Sequence, residues 1–447
     1  MRWNLKYAIR SYIIHSMWLV PLFALLFYFV FAQATSAFEA WLLRTGRIDA
    51  STAYLGLSLS GARSLFETVV TLNLSFLVFT FGSLLVAIQV AGGQYTPRII
   101  ATTLLRDKVI RRTVGYFVFT LIFALRVLTR MDEAVHQFNT FIAAMLGVFS
   151  MMVFLFLIDY AARFLRPVSI VEKVGKFGVD VIQGVYPDGT ERPRPGPAPT
   201  TLGPPDRIVV AAGAPGAVLA MDLPGLVEQA RQASGIIEFV PHIGDFVAAD
   251  QPLFHLYGGA STIDDGRLRE AVVLGTERTM EQDPTFAFRI LVDIAIKALS
   301  AAINDPTTAV LAIDQLQRLL RLVGLRDLRG EEFRDQTGQL RLVFRTPNWE
   351  DFVHLACTEI RHCGGGSIQV MRRMRSMLEN LMQTLPLHRH AELRQQLDLL
   401  DRTVEVRFEF PEDRALARIP DPQGMGGSLG VERMSEPSAA EGRKRDE

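Results

Sequence analysis

Cysteine is almost absent from this chain. Cys357 and Cys363 are the two it has, too few for a disulfide framework. Net charge is absent as well, because 47 basic side chains balance 47 acidic ones. That balance removes the broad positive field on which nucleic-acid binders rely. No lysine occurs between Lys176 and Lys297, so that stretch has no attachment point for a swinging cofactor arm. The phosphate-cradling GxxxxGK[ST] and GxGxxG loops and the HExxH zinc motif are also missing. An enzyme is therefore the least favoured class, and no cofactor is expected.

The chain does have apolar length. Four runs stand out: Tyr12–Ala34, Val69–Ala91, Thr113–Thr129 and Phe138–Ile158, of 23, 23, 17 and 21 residues. A helix rises about 1.5 Å per residue, so roughly 20 residues cross a hydrocarbon core about 30 Å thick. The runs predict four transmembrane helices over about 12–34, 67–91, 113–130 and 138–160, forming a domain over 1–166 with the lipid bilayer as its first partner. A cleaved signal peptide is the rival reading of the first run, given Arg2, Lys6, Arg10 and the small-x-small triplet Ala32-Gln33-Ala34. Apolar cores of signal peptides span about 7–15 residues, so the longer run favours a retained helix. Basic residues set the orientation. Arg2, Lys6, Arg10, Arg98, Arg106, Lys108, Arg111, Arg112, Arg163, Arg166, Lys173 and Lys176 fall on one side, against Arg44, Arg47, Arg63 and Arg130 on the other. Both termini are expected in the cytoplasm, in a bacterial inner membrane.

Charges inside the apolar layer need a partner or an exit to water. Glu67 opens the second span and Arg126 closes the third at the same expected depth, which suggests an ion pair between them. The alternative is that Arg126 reaches the headgroups alone. The second span is the most polar, and Asn73, Thr80 and Ser83 share a face at helical spacing. That face lines either a water-filled path or an interhelix contact.

Residues 167–206 read as a connector ending in a linker, with seven prolines between 187 and 206. Residues 207–262 hold short β-type runs separated by Gly, Pro and Asp. The Gly244-Asp245 turn is similar to those of barrel-sandwich carrier modules, although the attachment lysine is missing. From 263 to 415 an all-α domain is expected, giving a cytosolic α+β region overall. Arg372-Arg373 and Arg375 form a basic patch on it, read as a solvated face within reach of anionic lipid. The tail over 416–447 is expected to be disordered.

Arg289, Asp293 and Lys297 are spaced by four, a ladder of opposite charges on one helical face. Asp283 lies just upstream. The ladder is either a salt-bridged surface or a ligand or subunit contact. His354, Cys357, His362 and Cys363 invite a zinc reading, but structural sites separate two ligand pairs and here the pairs are crowded. Helix packing and surface histidines explain them better. Asp305-Pro306 suits the start of a helix, with Asp as N-cap and Pro in the first turn.

Three segments are familiar together: Gln94-Tyr95-Thr96-Pro97-Arg98; Glu281-Gln282-Asp283-Pro284-Thr285-Phe286 running to Ala295; and Lys297-Ala298-Leu299-Ser300 with Ile303-Asn304-Asp305-Pro306-Thr307-Thr308-Ala309. The chain resembles the bacterial predicted membrane protein family known as domain of unknown function 2254, over about residues 1–415. Tyr95-Thr96 stands where the family more often has Phe-Ser, and Ala301 where Pro is common. The resemblance implies N-terminal membrane helices and a cytosolic C-terminal region, with no catalytic residue to carry over. Arg98, Asp283, Arg289, Asp293, Lys297, Asn304 and Asp305 are the candidates for binding or assembly. The functional expectation is a homo-oligomer that passes ions or solutes under cytosolic control. A non-conducting scaffold or sensor is the alternative.

Overall fold

The structure is a computed structural model and describes residues 3–16, 18–45, 58–96, 98, 107–130, 137–164, 166–187, 202–328 and 332–427. The chain divides into an apolar unit, residues 10–93 with 97–169, and a C-terminal unit, residues 1–9, 94–96 and 170–447.

The apolar unit draws on α1 (Trp3–His15), α2 (Leu19–Arg44), α3 (Leu59–Gln94), α4 (Lys108–Thr129) and α5 (Gln137–Phe164). Among the described residues, four stretches are long and apolar enough to cross a membrane: Leu19–Leu42, Leu59–Gly93, Lys108–Thr129 and Phe138–Phe164. The first is displaced from the expected 12–34. Pro21 lies in the opening turn of α2, where a missing N–H is tolerated. Deeper in one continuous helix its ring would strike the carbonyl four residues back. So α1 stops at His15, α2 starts afresh, and Ala32-Gln33-Ala34 falls inside α2 with Ala32 buried.

Helix α4 is central. The Asp107 carboxylate caps it, accepting from Val109 N at 2.9 Å and Ile110 N at 3.2 Å, and also accepts from the Tyr160 hydroxyl of α5 at 2.7 Å. Gly115 lets α2 come close, since a Cβ there would lie 2.7 Å from Val20. Larger side chains fill the space to α3. Phe76 stacks on Phe154 with centroids 4.1 Å apart and tilts against Phe117 at 5.5 Å, in the range where aromatic pairs attract.

The C-terminal unit begins with residues 170–185 of α6 (Pro167–Val185). Then come β1 (Arg207–Val210), β2 (Gly216–Met221), α7 (Leu223–Gln232), β3 (Gly235–Phe239), β4 (Phe246–Val247), β5 (Pro252–Gly258), α8 (Asp265–Arg269) and β6 (Val272–Gly275). After these come α9 (Pro284–Ala298), α10 (Pro306–Gly324), β7 (Glu332–Arg334), β8 (Leu340–Phe344), α11 (Trp349–Gly364), α12 (Ile368–Thr384), α13 (His390–Arg407) and α14 (Pro411–Ala417). The strands form a five-stranded sheet in the order β1-β5-β3-β8-β7 and a three-stranded sheet in the order β4-β2-β6. The β structure is therefore not enclosed by 207–262, because β6, β7 and β8 come from the stretch expected to be helical. Strand β8 pairs parallel to β3, Ile237 opposite Leu342 and Phe239 opposite Phe344. A five-residue strand is too short to reveal its partner by periodicity.

The helical layer packs α6 onto α9 and α10. A Cβ on Gly178 would lie 2.9 Å from Leu319 and 3.0 Å from Ala287. The basic patch is not solvated: Arg372, Arg373 and Arg375 are buried. Arg372 donates from Nε to the Ile419 carbonyl at 3.0 Å and from Nη1 to those of Gly426 and Gly427 at 3.3 and 2.9 Å. Arg373 pairs with Asp314 at 2.7 Å, and Arg375 reaches Asp401. Buried guanidinium groups need such partners. Residues 416–427, expected to be free tail, supply the carbonyls that hold Arg372. The linker from 188 to 201 and the tail from 428 lie outside the described residues.

Candidate functional site

Two of the familiar segments are built alike. Each contains Asp-Pro-Thr, and each starts a helix. Asp283 caps α9, accepting from Phe286 N at 3.2 Å and from the Thr285 hydroxyl at 2.5 Å. Asp305 caps α10, accepting from Thr308 N at 3.1 Å and the Thr308 hydroxyl at 2.5 Å. Pro fills the first turn in both. The chain turns from α9 to α10 through Asn304, whose φ of 48° lies in the left-handed region, where Asn is better tolerated than most residues.

Asp283 does more than cap. Its carboxylate is buried and takes Arg278, with Nε at 3.0 Å and Nη2 at 2.5 Å. Gln282 beside it accepts from Met221 N at 3.0 Å and donates to the Met221 carbonyl at 3.3 Å, pinning this loop to β2. The segment is thus a joint between sheet and helices. Arg289 is a second joint. Its guanidinium grips Glu359 of α11 with Nη1 at 2.9 Å and Nη2 at 2.5 Å, and Asp293 with Nε at 2.7 Å. A two-pronged grip on a carboxylate is the strong form of this contact. Lys297, one turn on from Asp293, is half-buried.

Residues far apart in sequence meet at Asp305. Gln94, Tyr95 and Thr96 follow the apolar stretch of α3 directly, yet they group with the C-terminal unit. Tyr95 and Thr96 are buried. Burial pushes the Tyr95 phenol above its ordinary pKa, and the nearby Asp305 carboxylate pushes it further. Arg98 is exposed and takes part in other contacts. Asp283, Arg289 and Asp305 therefore do not converge in one cleft. Asp283 joins sheet to helix, Arg289 joins α9 to α11, and Asp305 meets the exit of α3.

In the apolar unit the polar residues of α3 turn back on their own helix. Asn73 Nδ2 donates to the Val69 carbonyl at 2.9 Å, Thr80 Oγ1 to Phe76 at 2.6 Å, and Ser83 Oγ to Thr80 at 3.0 Å. Asn73 and Thr80 are buried, and Thr80 and Ser83 line a small cavity with Leu84, Ala87, Ile110 and Leu157. The Glu67–Arg126 pair does not form. Glu67 points out of the unit while its neighbour Phe66 is buried, and Arg126 turns to α2, donating to Ser36 Oγ at 3.3 Å. The sequence reading missed Glu39, one turn on from Ser36, because α2 extends ten residues beyond the expected end at Ala34, to Arg44. Its carboxylate accepts from Phe138 N at 3.2 Å and from the Asn139 amide. It also missed Arg278 and Glu359, whose partnerships no spacing rule announces.

Cys357 is buried, and burial pushes its thiol up to about 12, while Cys363 is exposed. His354 faces Gln396 at 3.4 Å and Glu350 at 3.7 Å, away from a shared centre with the thiols.

Residues 14–380 match the family described as predicted membrane protein, DUF2254. An uncharacterized protein of Mycobacterium bovis and one of Mycobacterium tuberculosis are each 23% identical over 427 residues, covering 92% of this chain and 81% of the relative. No solved structure matches the chain.

Proposed function

Since the chain belongs to this family of predicted membrane proteins, we propose a multi-pass protein of the bacterial inner membrane with both termini and the C-terminal unit in the cytosol. It assembles as a homo-oligomer and passes ions or small solutes under control of the cytosolic unit. The basic residues that flank the spans support this orientation. One observation carries the control: the residues leaving α3 are built into the C-terminal unit, with Tyr95 buried beside Asp305. A shift of α10 thereby pulls on a membrane span through the backbone itself.

The packing of α3 supports one location for a path. Asn73, Thr80 and Ser83 each donate to a carbonyl of their own helix, which supports conduction between copies rather than through one. The outward line Ser64, Thr68, Thr71, Ser75, Gly82 and Gln89 is exposed along the span and supplies the polar wall. Flux from liposomes containing the full chain tests this. Thr71→Cys and Ser75→Cys should become sensitive to a charged thiol reagent, and Val153→Cys on α5 should not. No flux under any condition, with a monomeric particle in detergent, would remove the reading. The same inward bonding of Asn73, Thr80 and Ser83 supports a second one, a sealed scaffold or sensor that binds a partner or lipid through its cytosolic unit. In that case flux is absent while the oligomer persists.

A further inference from the structure

Glu39 and Arg126 line a cavity of about 140 Å³ in the apolar unit, together with Ser36, Arg130, Asn139 and the apolar wall of Phe123 and Val127. Its position follows from helix geometry. Arg126 is the nineteenth residue of α4 and Ser36 the eighteenth of α2. At about 1.5 Å per residue, both lie roughly 26 Å along helices that cross a core about 30 Å thick. The cavity therefore opens where hydrocarbon gives way to headgroups.

The charges there do not cancel locally. Glu39 is buried, and its carboxylate is engaged by Phe138 N and Asn139 at the start of α5, where an anion is favoured by the helix end. Arg126 carries five N–H donors, and the acceptor it meets is the neutral Ser36 hydroxyl at 3.3 Å. Arg130, one turn on, lines the same cavity, and neither arginine forms an ion pair among the described residues. Two arginines thus line a small space at the edge of a low-dielectric layer, where an unpaired charge is unfavourable.

We propose that this cavity binds a phosphate-type oxyanion supplied by a phospholipid headgroup. The guanidinium forks match phosphate geometry. Phe123, Val127 and Ala32 offer the glycerol and first methylenes an apolar wall. Free inorganic phosphate carries the same chemistry, and the test separates the two. The proposal is independent of conduction, because every residue lining the cavity lies within the apolar unit of a single chain.

The full chain in detergent is offered dioleoylphosphatidylglycerol, dioleoylglycerol as a phosphate-free match, or millimolar inorganic phosphate. Native mass spectrometry and the thermal midpoint are read for each. The phospholipid should be retained about tenfold better than dioleoylglycerol, and Arg126→Gln or Arg130→Gln should each weaken retention about tenfold, as loss of a charge-assisted bond does. Arg126→Lys, which keeps charge but not the fork, should fall between. Arg130 is exposed, so its variant remains informative if Arg126→Gln fails to fold. An arginine-dependent rise in midpoint with inorganic phosphate alone, without phospholipid preference, would support the oxyanion and overturn the lipid source. Equal retention of both lipids with no response to phosphate, or retention indifferent to both arginines, would overturn the proposal.

Discussion

Replacing Arg372 by Met tests the way the C-terminal strap is held. Met keeps an unbranched apolar stem and removes the guanidinium. Three carbonyls, of Ile419, Gly426 and Gly427, then lose their donors. A bond to a charged group is worth about 1.5–3 kcal/mol, so three lost in place would suggest a loss above 4 kcal/mol. The strap need not stay in place. Its other ties are few: Gln369 Nε2 to the Gly424 carbonyl at 2.6 Å and Asp421 N to the Arg372 carbonyl at 3.2 Å. The Asp421 carboxylate serves the strap itself, accepting from Gln423 N, Gly424 N and Gly426 N. Residues 419–427 should therefore peel away and hydrate their carbonyls, which limits the loss to what the strap contributes. We expect the global thermal midpoint in detergent to fall by the equivalent of about 1–2 kcal/mol, while tryptic cleavage after Arg418 accelerates by at least about tenfold. Unchanged cleavage at Arg418, or a global loss above about 4 kcal/mol without local release, would refute the reasoning.

Other expectations follow from single contacts. Asp305→Ala removes the cap of α10 and should lower stability by about 1 kcal/mol, whereas Asp305→Asn keeps the cap and should lose little; thermal unfolding of both variants decides. In Gly147→Val the new side chain meets Val69, already 2.6 Å from a Cβ at that site, so overpacking should destabilise the apolar unit by about 1–3 kcal/mol in detergent melts. At pH 8, iodoacetamide should label Cys363 but leave Cys357 unmodified until the chain unfolds, as mass spectrometry of the digested protein would show. The same thiol sets a pH trend. Its pKa is 9.0 when free and about 12 when folded, so the unfolded chain loses this proton first. Its contribution to stability is complete below pH 9 and declines as pH rises toward 12. In Cys357→Ala that component should disappear from the alkaline unfolding curve.

The sequence by itself determined the four spans, because apolar length against bilayer thickness is a local property of the chain. It also determined the start of α10, since Asp305-Pro306 brings an N-cap and a first-turn proline together whatever surrounds them. Even there Pro21 moved the first span, a signal present in the sequence and passed over in favour of the apolar run. Tertiary structure alone decided the rest. Arg289 had Asp293 in view at helical spacing, but Glu359 lies 70 residues on. Arg372 read as surface because Arg usually is, and its burial depends on carbonyls from a strap 47 to 55 residues later. Arg126 chose Ser36 over Glu67 because the neighbour of α4 on that side is α2, and which helix lies on which side is set by packing at Gly115. A charge finds its partner through space, and periodicity records only the chain it belongs to.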